Sequence, residues 1–209
     1  MSASPALFPI FVKLAGRHCV VVGGGTIAES KVGSLLASGA VVSVVSPTLT
    51  TNLHRRHLQG SLTWIPRCFD PTDLDGAFLV IAATSVDSVN ELVYREADRR
   101  GILCNAVDQP PRCHFYFPAV VRRGALQIAI STGGLSPSLA ARLRAEFEKE
   151  FGPEYEAWLL WLGKVRESLI ERQLDFTTRK RLLAYLARRD SFERWRVANL
   201  RKRALREAA

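Results

Sequence analysis

The strongest chemical signal in this 209-residue chain is a valine run, Val20-Val21-Val22, that leads directly into Gly23-Gly24-Gly25-Thr26-Ile27-Ala28. In a Gly-x-Gly-x-x-Ala spacing between a strand and a helix, Gly23 permits a tight turn and Gly25 lets backbone approach a pyrophosphate. Ala28 lets the helix pack closely on the strand. The first N–H groups of such a helix lack intrahelical acceptors and sit at its positive dipole end, which suits phosphates. Gly23, Gly24, Gly25, Thr26 and Ile27 are therefore candidate dinucleotide contacts. The second signal is Asp108, which directly follows a short strand-like run at 102–105. A carboxylate at a strand end is aimed at whatever binds there and can act as a general base or acid. The competing reading is an aspartate that caps a turn before Gln109-Pro110-Pro111.

These groups need a scaffold, and the first half of the chain supplies one. Short β-branched runs at 18–22, 41–45, 61–65, 78–82 and 102–105 alternate with helical patterns at 26–38, 49–58 and 87–100. That alternation predicts an α/β fold with a Rossmann-like parallel sheet. Ligands of such sheets lie in the crevice beyond the carboxyl ends of the strands. Thr84, after the fourth strand, and Asn105 and Asp108, around the fifth, are expected there. An acidic residue at the end of the second strand would select NAD, and an arginine would take the 2′-phosphate of NADP. Ser46, Pro47 and Thr48 stand there instead. Backbone and hydroxyl contacts of this segment can still hold the ribose, with NAD mildly preferred and NADP left open.

After Pro110-Pro111 the pattern changes. Runs at 115–121 and 125–131 flank Arg122-Arg123-Gly124 and read as a β-hairpin, whose glycine suits a positive-φ turn position. Helical patterns follow at 136–150, 154–174 and 177–187, then a basic, fraying tail from Ser191. Trp158, Leu159, Trp161, Leu162, Val165 and Leu169 form an apolar stripe expected to be core or dimer contact. The expected organisation is 1–113 as the nucleotide-binding domain, 114–150 as a hairpin with a linking helix, and 151–209 as a helical domain.

Composition narrows the partners. The formal charge is +9, and residues 151–209 hold 14 basic against 8 acidic side chains, so +6 of the surplus lies in the last 59 residues. Such a surplus admits nucleic acid, an anionic membrane surface or a polyanionic small molecule. Apolar runs are far shorter than the roughly 20 residues of a membrane span. The start, Met1 to Pro9, lacks the basic and apolar regions of a secretory signal, so a cytoplasmic protein is expected. Cys19, Cys68, Cys104 and Cys113 are scattered and read as reduced thiols, with no protein-built metal site. No tyrosine has a lysine four residues on, which removes the short-chain reductases. A non-catalytic NAD-sensing module whose basic helical tail binds nucleic acid or a partner protein is the alternative; arginines interleaved with core-like Leu, Trp and Tyr argue against it.

Several motifs occur in order: Phe8-Pro9-Ile10-Phe11, the glycine run extended to Glu29-Ser30-Lys31, Ala82-Ala83-Thr84 with Asn90 downstream, Cys104-Asn105-Ala106-Val107-Asp108, and Ser131-Thr132-Gly133-Gly134-Leu135-Ser136-Pro137. The set resembles the precorrin-2 dehydrogenase and sirohydrochlorin ferrochelatase family, the siroheme-synthase amino-terminal module, over about residues 7–150. The resemblance implies NAD-dependent oxidation of precorrin-2 to sirohydrochlorin and, in bifunctional members, insertion of substrate Fe²⁺. It implies a homodimer in which the hairpin segment crosses between subunits. It places the family's catalytic aspartate on Asp108, and its cofactor contacts on residues 23–27, Pro47, Thr48 and Thr84. The substrate is a polycarboxylate tetrapyrrole, so Asn105, His114, Arg122, Arg123 and Arg142 are candidate substrate contacts; the arginines could equally be solvated surface. The methyltransferase of fused siroheme synthases has no counterpart here, so the chain is not expected to make precorrin-2 itself.

Overall fold

The computed structural model describes residues 7–207, the backbone alone from 202 onward. The first six residues, where the reading for a secretory signal begins, lie outside the described residues. Two compact units divide the chain, Met1–Phe117 and Pro118–Ala209.

The first unit is a five-stranded parallel sheet. Its elements are β1 (His18–Val22), α1 (Thr26–Ala37), β2 (Val41–Val45), α2 (Thr51–Leu58), β3 (Thr63–Ile65), β4 (Leu79–Ala82), α3 (Asp87–Arg100) and β5 (Leu103–Ala106). The strand order is β3-β2-β1-β4-β5. The chain thus winds outward from β1 to β3 and then crosses to the other side of β1, which opens a crevice between the loops that follow β1 and β4. Both faces of the sheet are covered, which explains why the central strands are apolar throughout rather than alternating. Val21, Val44 and Ile81 face one core with Ala28, Val32 and Leu35 of α1 and Leu53 of α2. Val20, Val22, Val80 and Ala82 face the other with Val93 and Ala97 of α3.

A 3₁₀ turn at Pro71–Leu74, absent from the sequence reading, is started by Asp70 in a capping box and buries Leu74 under α3. Helix α2 begins at Thr51 because Thr50 is its N-cap, its hydroxyl accepting from the Leu53 N–H at 3.2 Å.

The second unit holds a separate two-stranded hairpin, β6 (Ala119–Arg123) and β7 (Leu126–Ile130), followed by α4 (Pro137–Glu150), α5 (Glu154–Glu171), α6 (Phe176–Leu186) and α7 (Arg189–Glu207). Arg122 and Arg123 were expected in the turn. Instead they pair with Gln127 and Leu126, which leaves Gly124 and Ala125 as a two-residue loop. Gly124 has φ +56° at the first central position, where tight hairpin loops demand a positive value. The aromatic rings of Tyr155, Trp158 and Phe192 form the centre of the unit. The rest of the expected stripe, Leu159, Trp161, Leu162, Val165 and Leu169, is half-buried.

The expected three-part division does not hold. Phe115 and Phe117 pack on the first core instead of starting the hairpin, so the boundary falls at Phe117 and not at residue 113. No division occurs near residue 150, because α5 packs on both hairpin strands and on α6 and α7. The tail from Ser191 is a continuous helix anchored by buried Phe192.

Candidate active site

A cleft of about 690 Å³ lies at the carboxyl edge of the first unit's sheet. It is lined by Gly23, Gly24, Gly25, Thr26, Ile27, Pro47, Thr48, Thr84 and Asp108, so the candidate cofactor contacts and the candidate catalytic carboxylate share one wall-to-wall space. Ser46, Leu49, Thr50, Cys68, Phe69, Val86 and Val89 complete it.

The glycine turn is built by close approach. Gly23 has φ +119°, and a Cβ there would stand 2.4 Å from the Ala83 carbonyl oxygen in the loop after β4. A Cβ on Gly24 would stand 1.9 Å from the Thr48 carbonyl oxygen, so this central residue of the motif is as constrained as Gly23. Gly25 is different: a Cβ there would meet nothing within 4 Å. It is the N-cap of α1 without a side-chain cap. Open space beside uncapped N–H groups is the environment that a pyrophosphate needs.

Side chains outside the motif hold the neighbouring loops. Glu29, in the first turn of α1, accepts from the Thr50 hydroxyl at 2.6 Å and the Asn52 amide at 2.8 Å, fastening the β2–α2 loop to the glycine helix. Those hydrogen bonds hold its carboxyl below the ordinary value. The Trp64 indole N–H donates to the Ser46 carbonyl at 2.9 Å. Beyond β4, buried Asn90 accepts from the Thr84 hydroxyl at 2.9 Å and donates to the Thr84 carbonyl at 3.0 Å.

Asp108 occupies a tight turn in which the Gln109 N–H donates to the Ala106 carbonyl at 3.1 Å. Its φ of +60° lies in the left-handed region, which aspartate enters more readily than most residues. The side chain is exposed on the cleft. Its neighbours are clamped instead: the Gln109 amide donates to Asp87 at 2.6 Å, and Arg112 pairs with Asp87 at 2.7 Å and with Glu91. The clamp ties the Asp108 loop to the start of α3, the helix that follows the Thr84 loop.

Lys31 stands beside this turn. Its Nζ lies 4.0 Å from the centroid of the Phe117 ring. Burial pulls its pKa below the ordinary lysine value, and the charge of Asp108 pulls it back up.

Two candidate substrate contacts fall elsewhere in the first unit. Asn105 is buried and donates to the Phe115 carbonyl at 2.8 Å, fixing the returning chain. His114 Nδ1 lies 3.1 Å from the Cys104 N–H and 3.2 Å from the Ile102 carbonyl, and Nε2 faces Asp98 at 3.1 Å. It therefore sits beside the start of β5, and Asp108 follows its end. Neither Asn105 nor His114 lines the cleft.

The three arginines belong to the second unit. Arg123 is consumed in capping α4, donating to the carbonyls of Phe151 at 2.7 Å and Glu148 at 2.9 Å. Arg142 pairs with Glu146 one helical turn away, and Arg122 is exposed.

The sequence reading missed Lys31, Glu29 and Arg112 as contributors. The only local hint was that Lys31 lies four residues after Ile27, on the same helix face.

Among the described residues no group of three or more His, Cys, Asp or Glu side chains could hold a metal ion, and no helix is long and apolar enough to cross a membrane.

Comparison with known proteins agrees with this geometry. A family model described as "Putative NAD(P)-binding" matches residues 10–119, and one described as "Sirohaem biosynthesis protein central" matches residues 123–150. Siroheme synthase of Methylobacillus flagellatus is 43% identical over 164 residues, which is 78% of this chain and 35% of that protein. Siroheme synthase of Actinobacillus pleuropneumoniae serotype 3 is 37% identical over 186 residues, 89% of this chain and 38% of that protein. A solved structure described as SirC, precorrin-2 dehydrogenase, superposes with a TM-score of 0.78 at 28% identity, covering 89% of this chain and 92% of that one. The chain thus spans little more than a third of the length of the curated siroheme synthases it matches.

Proposed function

The chain belongs to the NAD(P)-binding family of precorrin-2 dehydrogenase and the siroheme synthases, and from that premise we propose that it oxidises precorrin-2 to sirohydrochlorin with NAD as acceptor. The observation that carries this reading is the meeting of the glycine turn, the Thr84 loop and Asp108 on one cleft at the sheet's crossover.

The residues present fit the dinucleotide. The open face at Gly25 and the N–H groups of Thr26 and Ile27 would hold the pyrophosphate. Pro47 and Thr48 would hold the ribose, and the absence of any cation from residues 46–50 favours NAD over its 2′-phosphorylated form. Bound there, the cofactor supplies the two-electron oxidation. Asp108 accepts the proton that the macrocycle surrenders. Its left-handed turn presents the carboxylate to the cleft, and Arg112 keeps that turn in place. The apolar Phe69, Val86 and Val89 contribute to the cleft lining.

In the same reading Fe²⁺ is a second substrate, inserted into sirohydrochlorin and held by the macrocycle's own nitrogens, while Asp108 takes up the displaced pyrrole protons. The functional form is a homodimer. Leu135, Leu160 and Phe176 of the second unit are exposed apolar side chains that a second copy would cover.

The test is anaerobic incubation with enzymatically prepared precorrin-2, with and without NAD, followed by absorbance spectra before and after adding Fe²⁺. The expected result is a sirohydrochlorin spectrum that requires NAD and then changes with iron faster than in protein-free controls. No NAD-dependent change overturns the dehydrogenase; an iron step at the uncatalysed rate removes chelation alone. Sedimentation at micromolar concentration should give twice the chain mass.

A further inference from the structure

We infer that the Lys31 ammonium is the docking point for a carboxylate of the tetrapyrrole substrate, and that it sets the macrocycle edge against Asp108; this deepens the dehydrogenase reading and rests on it.

The argument begins with helix geometry. Residues four apart share a helix face, so Lys31 lies one turn behind Ile27, which lines the cleft, while Lys31 itself stands just outside that lining. The ammonium lies over the Phe117 ring, and that ring is itself fixed edge-to-face against Phe115 at 5.5 Å between centroids, on the first core. A ring quadrupole attracts a cation without neutralising it. The charge is therefore positioned and still available to an anion.

Five arginines of this unit are committed to ion pairs. Arg67 is paired with Asp73, Arg95 with Glu91, Arg99 with Glu96, Arg100 with Asp75 and Glu96, and Arg112 with Asp87 and Glu91. Among the described residues no carboxylate lies within ion-pairing distance of Lys31, although Asp108 is near enough to act on it electrostatically. Burial has already removed part of the ammonium's hydration. An arriving carboxylate would replace that lost solvation, so the site is one where an anion gains more than on an open surface. A substrate that carries carboxylates around its rim and reacts at a ring carbon needs such a cation next to the proton acceptor. Lys31 and Asp108 supply that pair with opposite charges on adjoining elements, α1 and the loop after β5.

The test uses Lys31→Met, which keeps the stem on Phe117 without the charge, and Lys31→Arg, which keeps the charge. Sirohydrochlorin binding is measured by absorbance titration, precorrin-2 kinetics under anaerobic conditions, and NAD affinity and melting temperature as controls for the fold. In Lys31→Met the expected result is about ten-fold or more weaker tetrapyrrole binding and a matching rise in KM, with NAD affinity unchanged. Lys31→Arg should restore most of the loss, and the gap between wild type and Lys31→Met should narrow as salt rises from about 0.05 to about 0.5 M. Unchanged tetrapyrrole affinity in a folded Lys31→Met protein, or a loss that Lys31→Arg does not relieve, overturns the inference while leaving the dehydrogenase intact. A wild-type protein that neither binds sirohydrochlorin nor oxidises precorrin-2 overturns the functional reading, and the role of Lys31 falls with it.

Discussion

The two units bury their apolar residues in different ways. In the first, the central strands are sealed on both faces: Val20, Val21, Val80 and Ile81 are without solvent exposure. In the second, the buried apolar residues among those described are Val121, Ala140, Trp158 and Phe192, while Leu135 and Phe176 are 85% and 71% exposed. Polar groups follow the same division. The buried amide of Asn90 and the Trp64 indole in the first unit have partners, whereas the buried Trp158 N–H in the second has no acceptor among the described residues. A parallel sheet wrapped by helices completes its own core and can hold loops at its edge rigidly enough for chemistry. A hairpin with helices packed around one aromatic knot leaves apolar surface over. The cleft lies on the first kind of architecture, and the exposed apolar side chains Leu135 and Phe176 on the other.

The sharpest test of that division is Asp108→Asn, which removes the proposed proton acceptor without changing the turn. Precorrin-2 turnover should fall by about 10²- to 10⁴-fold with NAD affinity retained in calorimetric titration. Retained turnover would move the chemistry away from the first unit's sheet edge.

Next in size is a pair of truncations. Leu53→Ala should cost about 2–5 kcal/mol in denaturant unfolding, because Leu53 is sealed between α2 and the sheet. Phe176→Ala, measured at concentrations where the protein sediments as a monomer, should stay within about 0.5 kcal/mol. Equal costs would erase the contrast between the units.

Arg112→Ala sharpens the link between rigidity and chemistry. Loosening the clamp on Asp87 and Glu91 should lower kcat by about ten-fold or more without weakening NAD binding. Arg112→Lys should recover part of the rate, and a loss in KM alone would show that the clamp does not position Asp108.

The smallest effect is the response to acid. Hydrogen bonds from Arg99 and Arg100 pull the Glu96 carboxyl down to about 2, Arg112 lowers Asp87, and Thr50 and Asn52 lower Glu29. Carboxyls whose folded pKa is depressed add stability above their unfolded values and lose it as pH falls towards the folded ones. The melting temperature of the first unit should therefore drop between about pH 4.5 and pH 2. Glu96→Gln should flatten that slope. Among the described side chains of the second unit the one carboxyl lowered in the same way is Asp175, held by Thr178 at the start of α6, so its response should be shallower.

The sequence was most legible where function depends on backbone shape. The glycine turn is encoded within six consecutive residues, and the structure sets the first five of them on the cleft with Pro47, Thr48 and Thr84. The place of Asp108 on the cleft was legible because strand ends are visible in the apolar pattern. His114 was misjudged because it lies six residues from Asp108 in the chain. The returning segment pairs antiparallel with β5 at Asn105 and Cys113, which carries His114 back towards the start of the strand. Arg123 looked like a free cation, but its guanidinium caps carbonyls 25 and 28 residues later.

By itself, the sequence determined the order of strands and helices, the glycine-built cofactor turn and the carboxylate at the fifth strand's end. Each of these is a matter of local residue type, where hydrophobic period and the lack of a Cβ act within a few bonds. Tertiary structure alone decided which side chains serve the cleft and which serve the scaffold. Glu29 reaches Thr50, Arg112 reaches Asp87, and Lys31 meets Phe117 only after the chain has folded back across 21, 25 and 86 residues respectively. Those partnerships are set by the packing of the sheet and not by spacing along the chain.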